Sequence, residues 1–141
     1  MIEIVRRRSI GLTLLSIFFL FGALMCLLTV IALIFPGGLF DPLWHLNPDA
    51  HRAFQRIGGW AILLMALVGT ACLLSAIGLA TRAPWGRQLA VGVLAVNLVG
   101  DAVSAVVRHD LRTLIGLPIG GAMILYLLSR RVARYFEASQ R

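Results

Sequence analysis

Apolar residues fill four stretches of the chain almost without interruption, at about 9–35, 57–80, 86–107 and 113–129. Within them the pattern is neither the alternation of a half-buried strand nor the single stripe of a soluble surface helix, and the longer ones reach the roughly 20 residues that a helix needs to cross a bilayer. Backbone groups in hydrocarbon must be satisfied inside their own segment, which favours helices. The pattern therefore predicts an all-α protein, a four-transmembrane-helix antiparallel bundle forming a single integral membrane domain over residues 1–141.

The breaks between these stretches are specific. Pro36-Gly37-Gly38 ends the first span, which at ~40 Å exceeds a hydrocarbon core of roughly 30 Å and must tilt or project. The long connection that follows carries Asp41-Pro42 and Asn47-Pro48, each a capping side chain ahead of a residue preset for a first helical turn. These predict a short interfacial helix over Asp41 to Leu46, with Phe40, Leu43 and Trp44 as its apolar contacts. A helical extension over 48–56 lies outside the lipid and continues without a breaker to Ala80. TRAPWGR, from Thr81 to Arg87, is a tight basic turn with Trp85 as interfacial anchor. RHDLR, from Arg108 to Arg112, is so short that the third and fourth spans must be antiparallel neighbours, with Asp110 as N-cap. Pro118 should kink the fourth span. Residues 130–141 read as a basic amphipathic tail whose Val132, Tyr135 and Phe136 rest on headgroups. Gly59, Ala66 and Thr70 on the second span, and Gly116 and Gly120 on the fourth, form small-residue stripes suited to helix packing.

Composition supports the membrane reading: 60% of residues are hydrophobic, 13% are charged, and the mean hydropathy is +0.91. All thirteen basic residues are arginine and the net charge is +7. The arginines sit in short clusters between apolar runs, which argues against a nucleic-acid partner. With four spans and both ends on one side, Arg6, Arg7, Arg8, Arg82, Arg87, Arg130, Arg131, Arg134 and Arg141 share that side, against Arg52, Arg56, Arg108 and Arg112. This bias predicts both termini on the cytoplasmic face of a cell inner membrane. Ser9 to Phe35 follows a basic cluster as a signal peptide would, but it is too long for a signal core and lacks a clear small-x-small cut site, so it is expected to stay as a span.

Chemistry-bearing residues are few. Asp101 is the only acid within a long apolar run, and Asn97, Ser104 and Arg108 lie at helical spacings from it, giving one polar face on the third span. Arg56 and Arg112, at the heads of the second and fourth spans, are candidate partners for the carboxylate. Three roles fit this cluster: structural glue, docking of a partner subunit, or a proton or cation site. His45, His51 and His109 all fall on the outer side; together they could offer imidazoles to a metal, but their spacing matches no metal motif, and no cofactor is expected. Cys26 and Cys72 lie in different spans, are expected at different depths, and read as small packing residues. There is no CxxC, no HExxH, no phosphate-cradling glycine loop and no suggestion of a nucleophile, base and orienter, so an enzyme is not expected.

The segments WHLNPDAHRAF, GLATRAPWGRQLA, VNLVGDAVSAV and RTLIGLPIGGAMILYL, spread over roughly residues 44–131, resemble a group of small, uncharacterised bacterial four-helix membrane proteins. In size and span number the chain is also similar to DoxX-like proteins, without a shared residue motif. The resemblance implies a fold and a membrane location and brings no activity with it. The expected function is that of a non-enzymatic accessory or structural subunit of a larger membrane complex, or of a self-associating membrane protein. The alternative is a small transporter or proton- or ion-coupled protein using Asp101 and Asn97.

Overall fold

The computed structural model describes residues 10–108 and 113–138, all in helices and the short turns that join them. In order these are α1 (Ile10–Ile34), α2 (Leu43–Leu46), α3 (Pro48–Ile57), α4 (Gly59–Ala80), α5 (Pro84–Arg108), α6 (Thr113–Leu128) and α7 (Arg130–Ala138). Three of them, α1, α4 and α5, are long and apolar enough to cross a membrane. α6 has 16 residues, ~24 Å of helix, and counts as part of a fourth span only if joined to α7 across their 48° bend. The four spans expected from sequence are thus three, or up to four.

The local signals act where the caps are. Asn47 accepts a hydrogen bond from the Ala50 amide at 3.1 Å and Pro48 occupies the first turn, so α3 starts there. The uninterrupted helix expected from Asn47 to Ala80 does not form. It breaks at Gly58, whose φ of 63° and ψ of −138° belong to a region that only glycine enters without strain. Gly58→Ala is accordingly expected to cost about 1–3 kcal/mol of stability, checked by thermal unfolding in mild detergent; no loss would mean that the bend survives a Cβ. At the far end of α4 the amide of Ala83 donates to the Gly78 carbonyl at 2.8 Å and that of Arg82 to Leu79 at 3.4 Å, a Schellman closure. Its left-handed position is held by Arg82, with φ of 59°, where glycine is usual.

The long helices pack as a row in which α1 lies against α4, α4 against α5, and α5 against α6. At the Schellman end the row closes into a core. Leu12, Leu15 and Phe19 of α1 meet Cys72, Ala76 and Leu79 of α4, Ala90 and Leu94 of α5, and Leu127 of α6. α7 completes this core. Ser129 breaks the helix and caps the Val132 amide, and the apolar side of α7 then turns inward, leaving Val132 and Phe136 at 3% and 2% exposure. They were expected on headgroups. They are buried because the 48° bend swings the tail across the end of the bundle and into the core cluster. Near the opposite end the buried residues of the α1–α4 pair are only Ala32 and Ala61.

Packing at the α1–α4 seam runs through Ala61, Gly69, Cys72 and Ala76; Ala66 and Thr70 are exposed at the edge of that seam, on the wall of a hollow, and Gly59 is exposed with nothing near an added Cβ. A Cβ built on Gly69 would lie 2.9 Å from Cys26 Cβ, and one on Gly22 would lie 3.7 Å from Cys72 Sγ. The two cysteines therefore occupy neighbouring levels of one antiparallel seam rather than separate depths, and both are free thiols. On α6, Gly120 and Gly116 both face α5: their added Cβ atoms would lie 2.9 Å from Leu98 Cδ1 and 3.4 Å from Asp101 Oδ2.

Candidate functional site

α5 is helical over the whole polar stripe, yet Asn97 and Asp101 face different surroundings. α4 and α6 both pack against this helix, and its rotation between them decides where each side chain goes. Asp101 is half-buried against α6 at Gly116, and Ser104 is half-buried one turn further on. Asn97, one turn earlier and at the middle of α5, is exposed, alongside exposed Gly92, Val96, Val99, Gly100 and Val103. Arg108 occupies the last position of α5.

Asp101 makes no hydrogen bond or ion pair with any described residue, and the only salt bridge among those residues joins Arg52 to Asp49 at 2.8 Å. Arg56, proposed as a partner for Asp101, is exposed at the end of α3. Arg112 lies outside the described residues, as do His109 and Asp110. The α5 stripe thus presents two different faces. Its carboxylate looks towards a glycine of α6, and its carboxamide looks out of the bundle at mid-helix.

The outer connection has a small aromatic core of its own. Trp44 of α2 stacks on His51 of α3, with ring centroids 4.5 Å apart and 12° between planes, and meets Phe54 edge-on at 6.0 Å. His51 Nε2 also lies 3.1 Å from Gln55 Nε2. These contacts hold α2 against α3 and engage the His51 ring, whereas His45 is exposed. Among the described residues no three histidine, cysteine or acidic side chains come together as a metal site.

Sequence reasoning missed the arrangement at the Schellman end. The Arg82 guanidinium carbon lies 4.7 Å from the centre of the Tyr135 ring, so α7 is tied to the α4–α5 turn by a cation–π contact as well as by burial. Arg87 follows on the first turn of α5, and its Nη1 has neither solvent contact nor an acceptor. The Thr-Arg-Ala-Pro turn announced a basic surface; only the bend ahead of α7 brings an aromatic ring to it.

The chain matches no family model, no curated protein and no solved structure.

Proposed function

We propose that this chain is a non-enzymatic, multi-pass protein of the cell inner membrane, with both termini cytoplasmic, α6 forming a short fourth span up to the bend and α7 lying at the cytoplasmic surface. In this reading it serves as a packing subunit that self-associates or joins a larger membrane complex through α5. The observation that carries the reading is Asn97, an exposed carboxamide at the centre of a helix long and apolar enough to be a span. In hydrocarbon an amide without a partner costs several kcal/mol, whereas a helix from a second molecule can satisfy it. Exposed Gly92 and Gly100 on the same helix allow such a helix to approach closely. Interhelical hydrogen bonds of this kind contribute ~1 kcal/mol. Asn97→Leu should therefore weaken association about fivefold, read from native mass and sedimentation after gentle extraction. A wild-type chain that is strictly monomeric and without a co-purifying subunit would contradict this reading.

A second reading, a small proton- or ion-coupled transporter, is favoured by the half-buried Asp101 carboxylate, which has no partner among the described residues. The two readings separate on Asp101→Asn. A packing role predicts a folded protein with unchanged association, and a coupling role predicts loss of solute or proton flux in reconstituted vesicles.

A further inference from the structure

Along the seam between α1 and α4 lie two adjacent hollows. The first, of about 290 Å³, opens at the Schellman end, where Arg82, Tyr135, Thr13 and Ser16 form part of its wall. The second, of about 640 Å³, is lined by Ala66, Cys26 and Thr70 further along, and Ile17 and Leu20 stand between the two as common walls. From Thr13 to Val30 they follow ~25 Å of α1, more than the depth of one leaflet. The result is a groove with a cationic mouth and an apolar length, the shape and polarity of a single amphiphile.

We infer that the α1–α4 groove is a binding site for one anionic phospholipid, with its phosphate at Arg82 and an acyl chain along Ile17, Leu20 and Ala66. The inference rests on reading α1 and α4 as membrane spans, since only then does the mouth lie at headgroup level. Charge complementarity selects the occupant. Arg82, Arg87, Arg130, Arg131 and Arg134 gather on α7 and the adjoining turn, none is ion-paired among the described residues, and the one described acid beside them, Glu137, is exposed. Each guanidinium attracts an anionic headgroup at a membrane surface. Arg82 is the one placed at the groove, and its backbone points to a role for its side chain. It stands in a left-handed position where glycine would be unstrained. The contact with the Tyr135 ring takes up no hydrogen-bond acceptor, and the guanidinium N–H groups can donate to phosphate oxygens. The apolar remainder of the groove suits a chain that water cannot fill.

The test uses the full-length protein, freed of lipid in mild detergent and then given dioleoylphosphatidylglycerol, dioleoylphosphatidylcholine or inorganic phosphate. Thermal unfolding and native mass spectrometry are the readouts. One phosphatidylglycerol per chain should remain bound and raise the unfolding midpoint, with no comparable effect from phosphatidylcholine or phosphate. Arg82→Gly, which relieves the left-handed backbone and so keeps the fold, should weaken that binding about tenfold; Arg82→Lys should retain part of it. Ala66→Phe, which fills the apolar length from an exposed position, should weaken it as well. Equal stabilisation by both lipids, an equal effect of phosphate alone, or full binding by either Arg82→Gly or Ala66→Phe would overturn the inference. If the protein still resists alkaline extraction from membranes in that event, the lipid site fails while the membrane reading stands.

Discussion

Gly86→Val is expected to take apart the α4–α5 hairpin. A Cβ at Gly86 would run into the backbone of Gly78, and a Cβ at Gly78 would run into that of Gly86, so the two helices touch main chain to main chain where they meet. A clash with a flexible side chain can relax, but one with helix backbone forces the pair apart, which also disturbs the Schellman closure and neighbouring Leu79 and Ala90. The expected loss is about 3 kcal/mol, the upper end of the overpacking range, and Gly78→Val should match it. Gly121→Ala makes the contrast, because nothing lies within 4 Å of its added Cβ, and it should be neutral or gain up to ~1 kcal/mol from a stiffer unfolded chain. Thermal unfolding of the three variants in one detergent checks the ordering. Equal midpoints for Gly86→Val and Gly121→Ala would show that the hairpin is not closely packed.

Phe136→Ala is expected to cost about 3–5 kcal/mol, as for a fully buried aromatic ring. The size of that effect separates two pictures of the C-terminal helix. A tail lying on headgroups would lose only a weak surface contact, whereas Phe136 at 2% exposure sits in one core with Leu79, Ala90, Leu94 and Leu127. Loss of the ring should release α7 from the end of the bundle and let its backbone unfold locally, so that trypsin cuts faster after the already exposed Arg130, Arg131 and Arg134. Arg134→Ala, on the exposed side of the same helix, should change stability by less than about 0.5 kcal/mol. Cleavage rates and unfolding midpoints together read the result. An unchanged midpoint in Phe136→Ala would place the tail outside the core.

The contrast between Phe136 and Asn97 explains what the sequence could and could not disclose. Signals that act within a few residues were legible: Pro36-Gly37 after α1, the Asn47 cap and Pro48 ahead of α3, and the apolar length of α1, α4 and α5. The break at Gly58 had a local signal that the apolar pattern overrode, since Gly58-Gly59 is a glycine pair of the kind that marks turns, and the φ and ψ of Gly58 show the chain using it. The amphipathic pattern of α7 was visible, but what its apolar side lands on depends on the 48° bend and on the neighbours waiting there. The same holds for the polar stripe of α5. Helical spacing put Asn97, Asp101 and Ser104 on one face, yet the packing of α4 and α6 around that helix sends the carboxamide outward and the carboxylate towards Gly116. The cysteines were misplaced for a related reason: the depth of a residue depends on how two antiparallel helices are offset, and no local signal fixes that offset.

The central claim, that the outward face of α5 receives another helix, is tested most directly by cysteine cross-linking in native membranes. In a background carrying Cys26→Ala and Cys72→Ala, single cysteines are placed at Asn97→Cys and, as a control on the exposed side of α4, at Leu67→Cys. Mild oxidation or a short thiol cross-linker should give one discrete adduct from Asn97→Cys, either a second copy or a single partner, and little from Leu67→Cys. Monomer at both positions, or equal adducts from both, would contradict the claim.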